Sequence, residues 1–125
     1  MNKVILRGNT GQTPDVKFTP SGKRVMRFSF ATNRGWKNEN EERVEVTDWH
    51  NIETWNPGII DVLLKYGFKG QGMLIEGRLE TQSYDDNGVK KYFTKVVANT
   101  IEILTWQGGA PGLSEFLTDM AGCDV

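Results

Sequence analysis

Apolar and polar residues alternate along several short stretches of the chain, a pattern typical of β-strands with one buried face. In residues 24–32, Met26, Phe28 and Phe30 alternate with polar or small residues. Residues 43–55 alternate again, and one side of that predicted strand carries Val44, Val46, His50 and Ile52. Four further strands are predicted beside turn-forming Gly, Pro, Asn or Ser residues, at 3–7, 16–18, 73–84 and 89–104.

Two segments between these strands are predicted to turn or loop. Asp85-Asp86-Asn87-Gly88 separates the last two strands and predicts a tight hairpin, because Asn-Gly accepts the positive φ angles that such a turn requires. Residues 33–42 are rich in Asn, Gly and charged residues, so they are predicted to form a polar loop that carries Trp36.

One helix is predicted after residue 55. Asn56 can cap the free amides of a first turn, Pro57 is tolerated there, and Gly67 suits the C-terminal cap. The apolar residues recur at helical spacing: Ile59, Ile60, Leu63 and Leu64. Five or six strands with one short helix between the third and fourth long strands predict an all-β chain. This is the order expected of the OB-fold, a five-stranded Greek-key barrel, although other small barrels fit the same pattern.

The 125-residue chain is long enough for one domain with its own core. We expect residues 1–106 to form this domain and residues 107–125 to form a flexible Gly-rich linker and a short C-terminal tail. One Cys and one His cannot make an intrachain disulfide or a structural zinc site, so no metal and no cofactor are expected. Apolar runs are too short for a membrane span or a signal peptide, and a cytoplasmic location is predicted.

Charge is unevenly distributed along the chain. The formal net charge of −1 argues, taken alone, against a nucleic-acid-binding protein. However, residues 1–37 contain eight basic residues and one acidic residue, whereas residues 38–64 contain seven acidic residues and one basic residue. The N-terminal third can therefore form a basic face that the net charge conceals.

Four aromatic residues fall in polar surroundings. Trp49 and Trp55 lie with Glu53 on the polar side of their predicted strand, Trp36 lies in the predicted loop, and Tyr84 lies next to the hairpin turn. Packing against the helix, another ring or a partner subunit explains any one of them equally well. Together with nearby cations they favour single-stranded nucleic acid, because cations neutralise phosphates and rings stack on bases. These cations are Arg34, Lys37, Lys69, Lys90 and Lys91.

The sequence contains no recognisable catalytic constellation. The acidic residues of 39–45 are expected to be solvated, and His50, on the apolar side of its strand, is expected to be a hydrogen-bonded structural residue. Two other functions remain as alternatives. A carbohydrate-binding module could use the same aromatic platform, whereas a small nuclease would need a set of metal ligands that the sequence does not offer.

Several motifs, in order along the chain, resemble those of the bacterial and mitochondrial single-stranded DNA-binding proteins. They are residues 2–9 (NKVILRGN), 19–22 (TPSG), 28–33 (FSFATN) followed by Trp36, 47–50 (TDWH) and 75–79 (IEGRL). The resemblance covers residues 2–106. It implies an OB-fold that binds single-stranded DNA without sequence preference in replication, repair and recombination. It also implies no enzymatic activity, a homotetramer or alternatively a dimer, and a nucleoid-associated place in the cytoplasm.

The resemblance also assigns residues to roles. The stacking positions of that family fall on Trp36, Trp49, Trp55 and Tyr84, and its basic positions fall on Lys37 and Lys69, to which we add Arg34. The oligomer interface is expected to include His50 and, from the N-terminal strand, Lys3 and Ile5.

The chain departs from that family at several basic positions. Asn56-Pro57 replaces the usual Gly-Lys after Trp55, Asn51 replaces an Arg, and the residues before Tyr84 are not basic. Fewer phosphate contacts predict a weaker dependence of binding on salt. The acidic tail tip that ends in Pro-Phe is also missing from the sequence, so recruitment of replication and repair proteins is not implied.

Overall fold

Six strands and one helix make up the chain in the computed structural model, which describes residues 1–106. The elements are β1 (Val4–Thr10), β2 (Asp15–Phe18), β3 (Arg24–Lys37), β4 (Arg43–Thr54), α1 (Pro57–Tyr66), β5 (Gly72–Asp86) and β6 (Val89–Ile103). The predicted linker and tail, residues 107–125, lie outside the described residues.

The strands form a single sheet in the order β1-β5-β6-β4-β3-β2. The sheet closes on itself because β1 also pairs with β3, with Asn9 opposite Ala31 and Thr10 opposite Phe30. All neighbours are antiparallel except β4 and β6, which pair in parallel through only two residue pairs. Five strands thus make a closed barrel, with β2 added at the edge of β3 and α1 between β4 and β5. This confirms the predicted all-β barrel with one short helix.

The core follows the alternation of β3. Met26, Phe28 and Phe30 are buried, as predicted, and the rings of Phe28 and Phe30 meet edge to face with centroids 6.4 Å apart. Ile52 of β4 lies directly opposite Phe28 and is also buried. The same period of two that buries these residues exposes the intervening side chains, so β3 and β4 present a polar outer face.

The helix begins and ends where the sequence predicts. The Oδ1 atom of Asn56 accepts hydrogen bonds from the backbone N–H groups of Gly58 and Ile59, at 2.9 and 3.3 Å. At the other end, the N–H of Gly67 donates to the carbonyl of Leu63 at 2.8 Å. Both ends of the helix are therefore satisfied within the chain.

The predicted apolar stripe of the helix is wrong at one residue. Ile59, Ile60 and Leu63 are buried, but Leu64 is half exposed and Val62 is buried instead. Val62 lies one turn from Ile59 on the core side, whereas Leu64 lies one turn beyond Ile60, at the margin of the stripe.

The first half of the predicted loop at residues 33–42 is strand. β3 runs on to Lys37, which pairs with Arg43, and only the connection between them turns. In that connection, Oδ1 of Asn38 accepts hydrogen bonds from the backbone N–H groups of Asn40 and Glu42, both at 2.9 Å. The polar composition of the segment indicated a loop, but backbone pairing with β4 makes it a strand because the ladder bonds do not depend on side-chain polarity.

The hairpin between β5 and β6 confirms the Asn-Gly prediction. Asn87 and Gly88 both have positive φ, 52° and 83°, and Asp86 pairs with Val89 on either side of them. A two-residue turn fixes the register of both strands from the turn as far as Gly77, which pairs with Ala98, and beyond that pair an irregularity shifts the register. The turn thus sets the strand pairing of the long hairpin next to it. We call the part of the hairpin that extends beyond the barrel, residues 80–95, the arm.

Replacing Asn56 with Ala is expected to destabilise the fold by about 1 kcal/mol, because two first-turn amides lose their acceptor. Urea unfolding monitored by tryptophan fluorescence measures the change. Asn40→Ala is the matched control, since Asn40 is an exposed Asn in a turn, and its effect should stay within about 0.5 kcal/mol. Equal stability of the Asn56→Ala variant and the unsubstituted chain would contradict the capping role.

Candidate nucleic-acid interface

A groove of about 460 Å³ crosses the outer face of β3 and β4, between β2 on one side and the arm on the other. We call it the groove. Its walls carry uncharged polar side chains, a lysine and an aromatic ring: Gln12, Lys17, Ser29, Asn51, Gln82 and Phe93. It combines hydrogen-bonding groups with one flat apolar surface, which is the composition of a site for a planar polar ligand.

The floor of the groove contains a buried ion-pair network around Glu53. The Glu53 side chain is only 2% exposed, and its Oε2 lies 2.7 Å from Nζ of Lys95 on β6. Its Oε1 accepts a hydrogen bond from Nε of Arg27 at 3.0 Å. Nζ of Lys95 also lies 3.7 Å from Oε1 of Glu80. Glu53 lies on the predicted polar side of β4, yet it is buried, because cations from two other strands cover it.

Two opposing effects act on the pKa of Glu53. Burial penalises the charged carboxylate and would raise the pKa, but hydrogen bonds and charge interactions with Lys95 and Arg27 outweigh this effect. The pKa is consequently lowered from its ordinary value, and the carboxylate is ionised at neutral pH. Lys95 and Arg27 share this carboxylate, and Glu80 places a second negative charge near Lys95.

Trp49 stands at one end of the groove. It lies on the same face of the β3–β4 pair as Ser29 and Asn51, and it is 61% exposed. Its ring passes so close to Gly11 that a Cβ there would lie 2.4 Å from ring atom Cζ3. Gly11 thus allows the loop after β1 to lie against one part of the ring while the rest of the ring stays open to solvent.

Tyr84 and Phe93 lie on the arm, on the face that borders the groove. The hairpin register places Gln82 opposite Phe93 and Tyr84 opposite Lys91, two positions apart, so that all four share one face. Tyr84 is 53% exposed and Phe93 is 44% exposed. The sequence analysis missed Phe93, although the two-residue Asn-Gly turn fixes this register and could have identified it.

The remaining tryptophans lie elsewhere. Trp36 pairs with Val44 on the opposite face of the β3–β4 hairpin from Trp49. Arg34, on the same face as Trp36, holds its guanidinium 5.4 Å from the centroid of the Trp36 ring and donates from Nε to Oδ2 of Asp48 at 2.8 Å. The predicted basic loop around Trp36 is therefore an ordered strand end with its own ion pair.

Trp55 follows the last residue of β4 and does not extend the face of Trp49. It lines a second cavity of about 560 Å³, together with Lys23, Arg24 and Ile60. The expectation that both tryptophans point the same way assumed a regular strand through residue 55, but β4 ends at Thr54, before Asn56 caps the helix.

The cations differ in whether they form an ion pair within residues 1–106. Arg34 is engaged by Asp48, and Lys91 lies 2.7 Å from Oδ2 of Asp86. Lys17, Lys37 and Lys69 make no ion pair within residues 1–106. Like Arg7, Lys23 and Lys90, which also make no ion pair within residues 1–106, these lysines can exchange solvent counterions for phosphates.

Lys69 lies in the turn that joins α1 to β5. The backbone N–H of the next residue, Gly70, donates to the carbonyl of Thr10 at 2.9 Å. Thr10 in turn precedes Gly11, which contacts Trp49. Lys37 lies on the same face of the β3–β4 pair as Trp49. It is six residues along β3 from Ala31, the residue that pairs with Trp49, and this spacing corresponds to about 20 Å.

The predicted interface residues lie on the barrel surface. Ile5 is 61% exposed on the outer side of β1, and Nζ of Lys3 lies 2.9 Å from Oε1 of Glu76 on β5. His50 is half buried, and its Nε2 lies 2.8 Å from Oγ1 of Thr32. The prediction of a hydrogen-bonded histidine is thus confirmed.

Comparison with known proteins gives consistent matches. The model of the Single-strand binding protein family matches residues 1–104. A "Single-stranded DNA-binding protein" of Rickettsia felis is 41% identical over 99 residues, which cover 78% of this chain but only 65% of that protein's length. "Single-stranded DNA-binding protein 1" of Chlorobaculum tepidum is 38% identical over 117 residues, covering 92% of this chain and 72% of that protein.

Solved structures agree with these matches. A Plasmodium falciparum SSB complex with ssDNA superposes with a TM-score of 0.76 and 32% identity, covering 84% of this chain and 96% of that chain. A deletion mutant of the single-stranded DNA binding protein from Thermus aquaticus superposes with a TM-score of 0.70 and 29% identity, covering 84% of this chain and 51% of that chain. Within residues 1–106, no helix has both the length and the apolar character needed to cross a membrane.

Replacing Glu53 with Gln is expected to destabilise the fold by about 3 kcal/mol or more at pH 7, because Lys95 stays buried without its closest counter-charge. Urea unfolding measures the loss. Glu45→Gln is the matched control: Glu45 forms an exposed pair with Arg43, so its loss should be less than about 1 kcal/mol. Equal effects of the two substitutions would contradict a special role for the buried pair.

The same network predicts a dependence of stability on pH. Because the pKa of Glu53 is lower in the folded chain than in the unfolded chain, its contribution is complete above about pH 4.3, the ordinary Glu value. The contribution is lost as the pH falls further, through the lowered pKa. Thermal melting between pH 7 and pH 2 should show a smaller acid-induced loss for Glu53→Gln than for the unsubstituted chain. An identical loss in both would assign the acid sensitivity to other carboxylates.

Proposed function

The chain belongs to the single-strand binding protein family, and we propose that it binds single-stranded DNA by stacking bases on exposed rings and neutralising phosphates with lysines. We further propose that it catalyses no reaction on the bound strand and acts in DNA replication, repair and recombination. Its relatives carry names that state binding to single-stranded DNA, and one structural neighbour is a complex with that ligand.

The position of Trp49 is the single observation that carries this proposal. The ring is 61% exposed at the end of a groove lined with polar side chains, although burying an indole is strongly favourable. A ring held in this way by the contact with Gly11 offers a preformed surface for a base. Stacking of this kind is worth about 1–3 kcal/mol per base, a range that comes from proteins of this class.

The other predicted rings support a strand that follows a curved path. Tyr84 borders the groove from the arm, Trp36 lies on the other face of the β3–β4 hairpin, and Trp55 lies in the second cavity. A strand that touches all of these rings has to wrap around the edges of the barrel. Arg34 would then act mainly by orienting Trp36, since Asp48 already neutralises its charge.

Phosphates would be met by lysines at the margins of this path. Lys17, Lys37 and Lys69 make no ion pair within residues 1–106, whereas Arg27 and Lys95 are both paired with Glu53. The uncharged residues at Asn51 and Asn56-Pro57, where the family has basic ones, predict a modest dependence of binding on salt, with more of the affinity carried by the rings.

We also propose a homotetramer, with a dimer as the alternative, that uses the outer side of β1. Ile5 is exposed there beside the Lys3–Glu76 pair, and His50 is half buried in the single chain. Residues 1–106 are the proposed DNA-binding domain, and residues 107–125 are the proposed linker and tail. A place in the cytoplasm with the nucleoid follows from the proposed ligand.

Titration with poly-dT should quench tryptophan fluorescence strongly at low salt, while duplex DNA and an oligosaccharide should have little effect. Trp49→Ala is expected to weaken binding of single strands by about 1–3 kcal/mol, because one stacking surface is lost. The substitution removes a fluorophore, so binding is measured by anisotropy of labelled DNA. Trp49→Phe, which keeps a flat ring, is the control and should retain most of the affinity. Unaltered affinity of Trp49→Ala would make that ring structural.

Lys17→Ala and Lys69→Ala are each expected to lower the slope of log K against log salt by about 0.7, because one phosphate contact is lost. Anisotropy titrations over a series of salt concentrations measure the slope. Lys65→Ala removes the same charge from the last turn of α1, outside the groove, and should leave the slope unchanged. A slope that falls equally in all three variants would indicate an effect of net charge rather than of contact.

A further inference from the structure

The groove presents a set of free hydrogen-bonding side chains. Gln12, Ser29, Asn51 and Gln82 line it, and none of their side chains is hydrogen bonded within residues 1–106. Each amide offers a donor and an acceptor side by side, which is the pattern needed to pair with the edge of a nucleobase. A surface that only stacks bases does not require amide side chains, yet three amides without a hydrogen bond within residues 1–106 line this one groove.

The charges of the floor favour a base over a phosphate. Lys95 and Arg27 are both bound to the Glu53 carboxylate, and Glu80 lies within 3.7 Å of Lys95. Asp15 adds a further negative charge to the lining. Lys17, on the β2 side, is the cation of this lining that makes no ion pair within residues 1–106, so a phosphate fits beside that wall. Over the floor a phosphate would meet carboxylates that are already paired with cations, whereas an uncharged base would not be repelled there.

Phe93 supplies a flat surface in the same volume. Its ring is 44% exposed on the arm, in the lining shared with Asn51 and Gln82. The volume of about 460 Å³ lies within the range of small-molecule sites, about 300–1,000 Å³, so a base together with its sugar fits. A ring and amide edges in one cavity meet the two requirements for identifying a base, a face to stack on and an edge to pair with.

We propose that the groove holds one base of the bound strand, stacked on Phe93, and that Asn51 and Gln82 read its edge, so that the chain discriminates between bases. This inference rests on the proposed function and goes beyond it, since stacking alone is tolerant of sequence. Asn51 and Gln82 are specificity-determining residues under this proposal, and Trp49 remains the sequence-independent contact.

The test compares affinities for oligo-dA, oligo-dC and oligo-dT of equal length at one salt concentration, measured by anisotropy. The unsubstituted chain is expected to prefer one of them. The Asn51→Ala/Gln82→Ala double variant should reduce that preference by about fivefold or more, because each paired edge contributes on the order of 1 kcal/mol or more, and 1.4 kcal/mol is tenfold. Comparing the ratio between variants removes the intrinsic stacking of each oligonucleotide. Asn40→Ala, an exposed amide outside the groove, should leave the ratio unchanged.

Phe93→Ala is expected to weaken binding of all three oligonucleotides by about fivefold or more, whereas Asn40→Ala should not.

A ratio that is the same in the unsubstituted chain and the double variant would overturn the base-reading role, and unaltered affinity of Phe93→Ala would overturn the stacking role. If the chain binds single strands tightly but without preference, only this inference fails. If it binds none of the three, the proposed function fails as well. Both exposed amides can be removed without disturbing the core, and thermal melting verifies that the double variant is folded.

Discussion

The buried carboxylate of Glu53 is held at the seam between β4 and β6, the parallel strand pair of the barrel. β4 and β6 pair in parallel through only two residue pairs, Ile52 with Val96 and Glu53 with Val97. So short a ladder provides few backbone hydrogen bonds, and the contact of Glu53 with Lys95 joins the same two strands on the outer side. On the inner side, Ile52 and Val96 are buried in the core. The seam thus combines apolar packing inside with an ion pair outside, and the relative position of the β3–β4 pair and the arm depends on both.

The surface proposed to bind DNA follows from this contact between β4 and β6. Once the seam fixes the arm beside β4, Phe93 and Gln82 stand across the groove from Asn51 and from the face that ends at Trp49. Glu53 has a second consequence, because its carboxylate pairs with both of the cations nearest the floor and offsets part of their charge. The interior of the groove suits an uncharged group, and the free lysines lie at its margin and elsewhere on the surface. Structure and electrostatics therefore separate the places for bases from the places for phosphates.

The exposed aromatic rings do not form one platform. Trp49 and Trp36 lie on opposite faces of a single hairpin because their paired positions along β3 differ by an odd number of residues, and side chains alternate. Trp55 leaves the strand where Asn56 begins to cap the helix, and it turns into a separate cavity. A flexible, extended ligand can reach all these faces, whereas a rigid duplex cannot follow so tight a path. This distribution of rings is consistent with a single strand as the ligand.

The sequence by itself determined the features that depend on neighbouring residues. The alternation of Met26, Phe28 and Phe30, the capping by Asn56 and the Asn87-Gly88 turn are local, because each depends on backbone preferences within a few residues. The order of predicted strands and helix indicated the barrel, and polar surroundings singled out the four candidate rings, to which the family resemblance then assigned stacking. Only the tertiary structure decided that residues 33–37 are strand, that Glu53 is buried and that Phe93 lines the groove. Each of these depends on a partner from another strand: the ladder of β4, the ammonium group of Lys95, and the face of β4 that carries Asn51. A polar residue is solvated or buried according to what the fold places against it, and that partner is distant in the sequence.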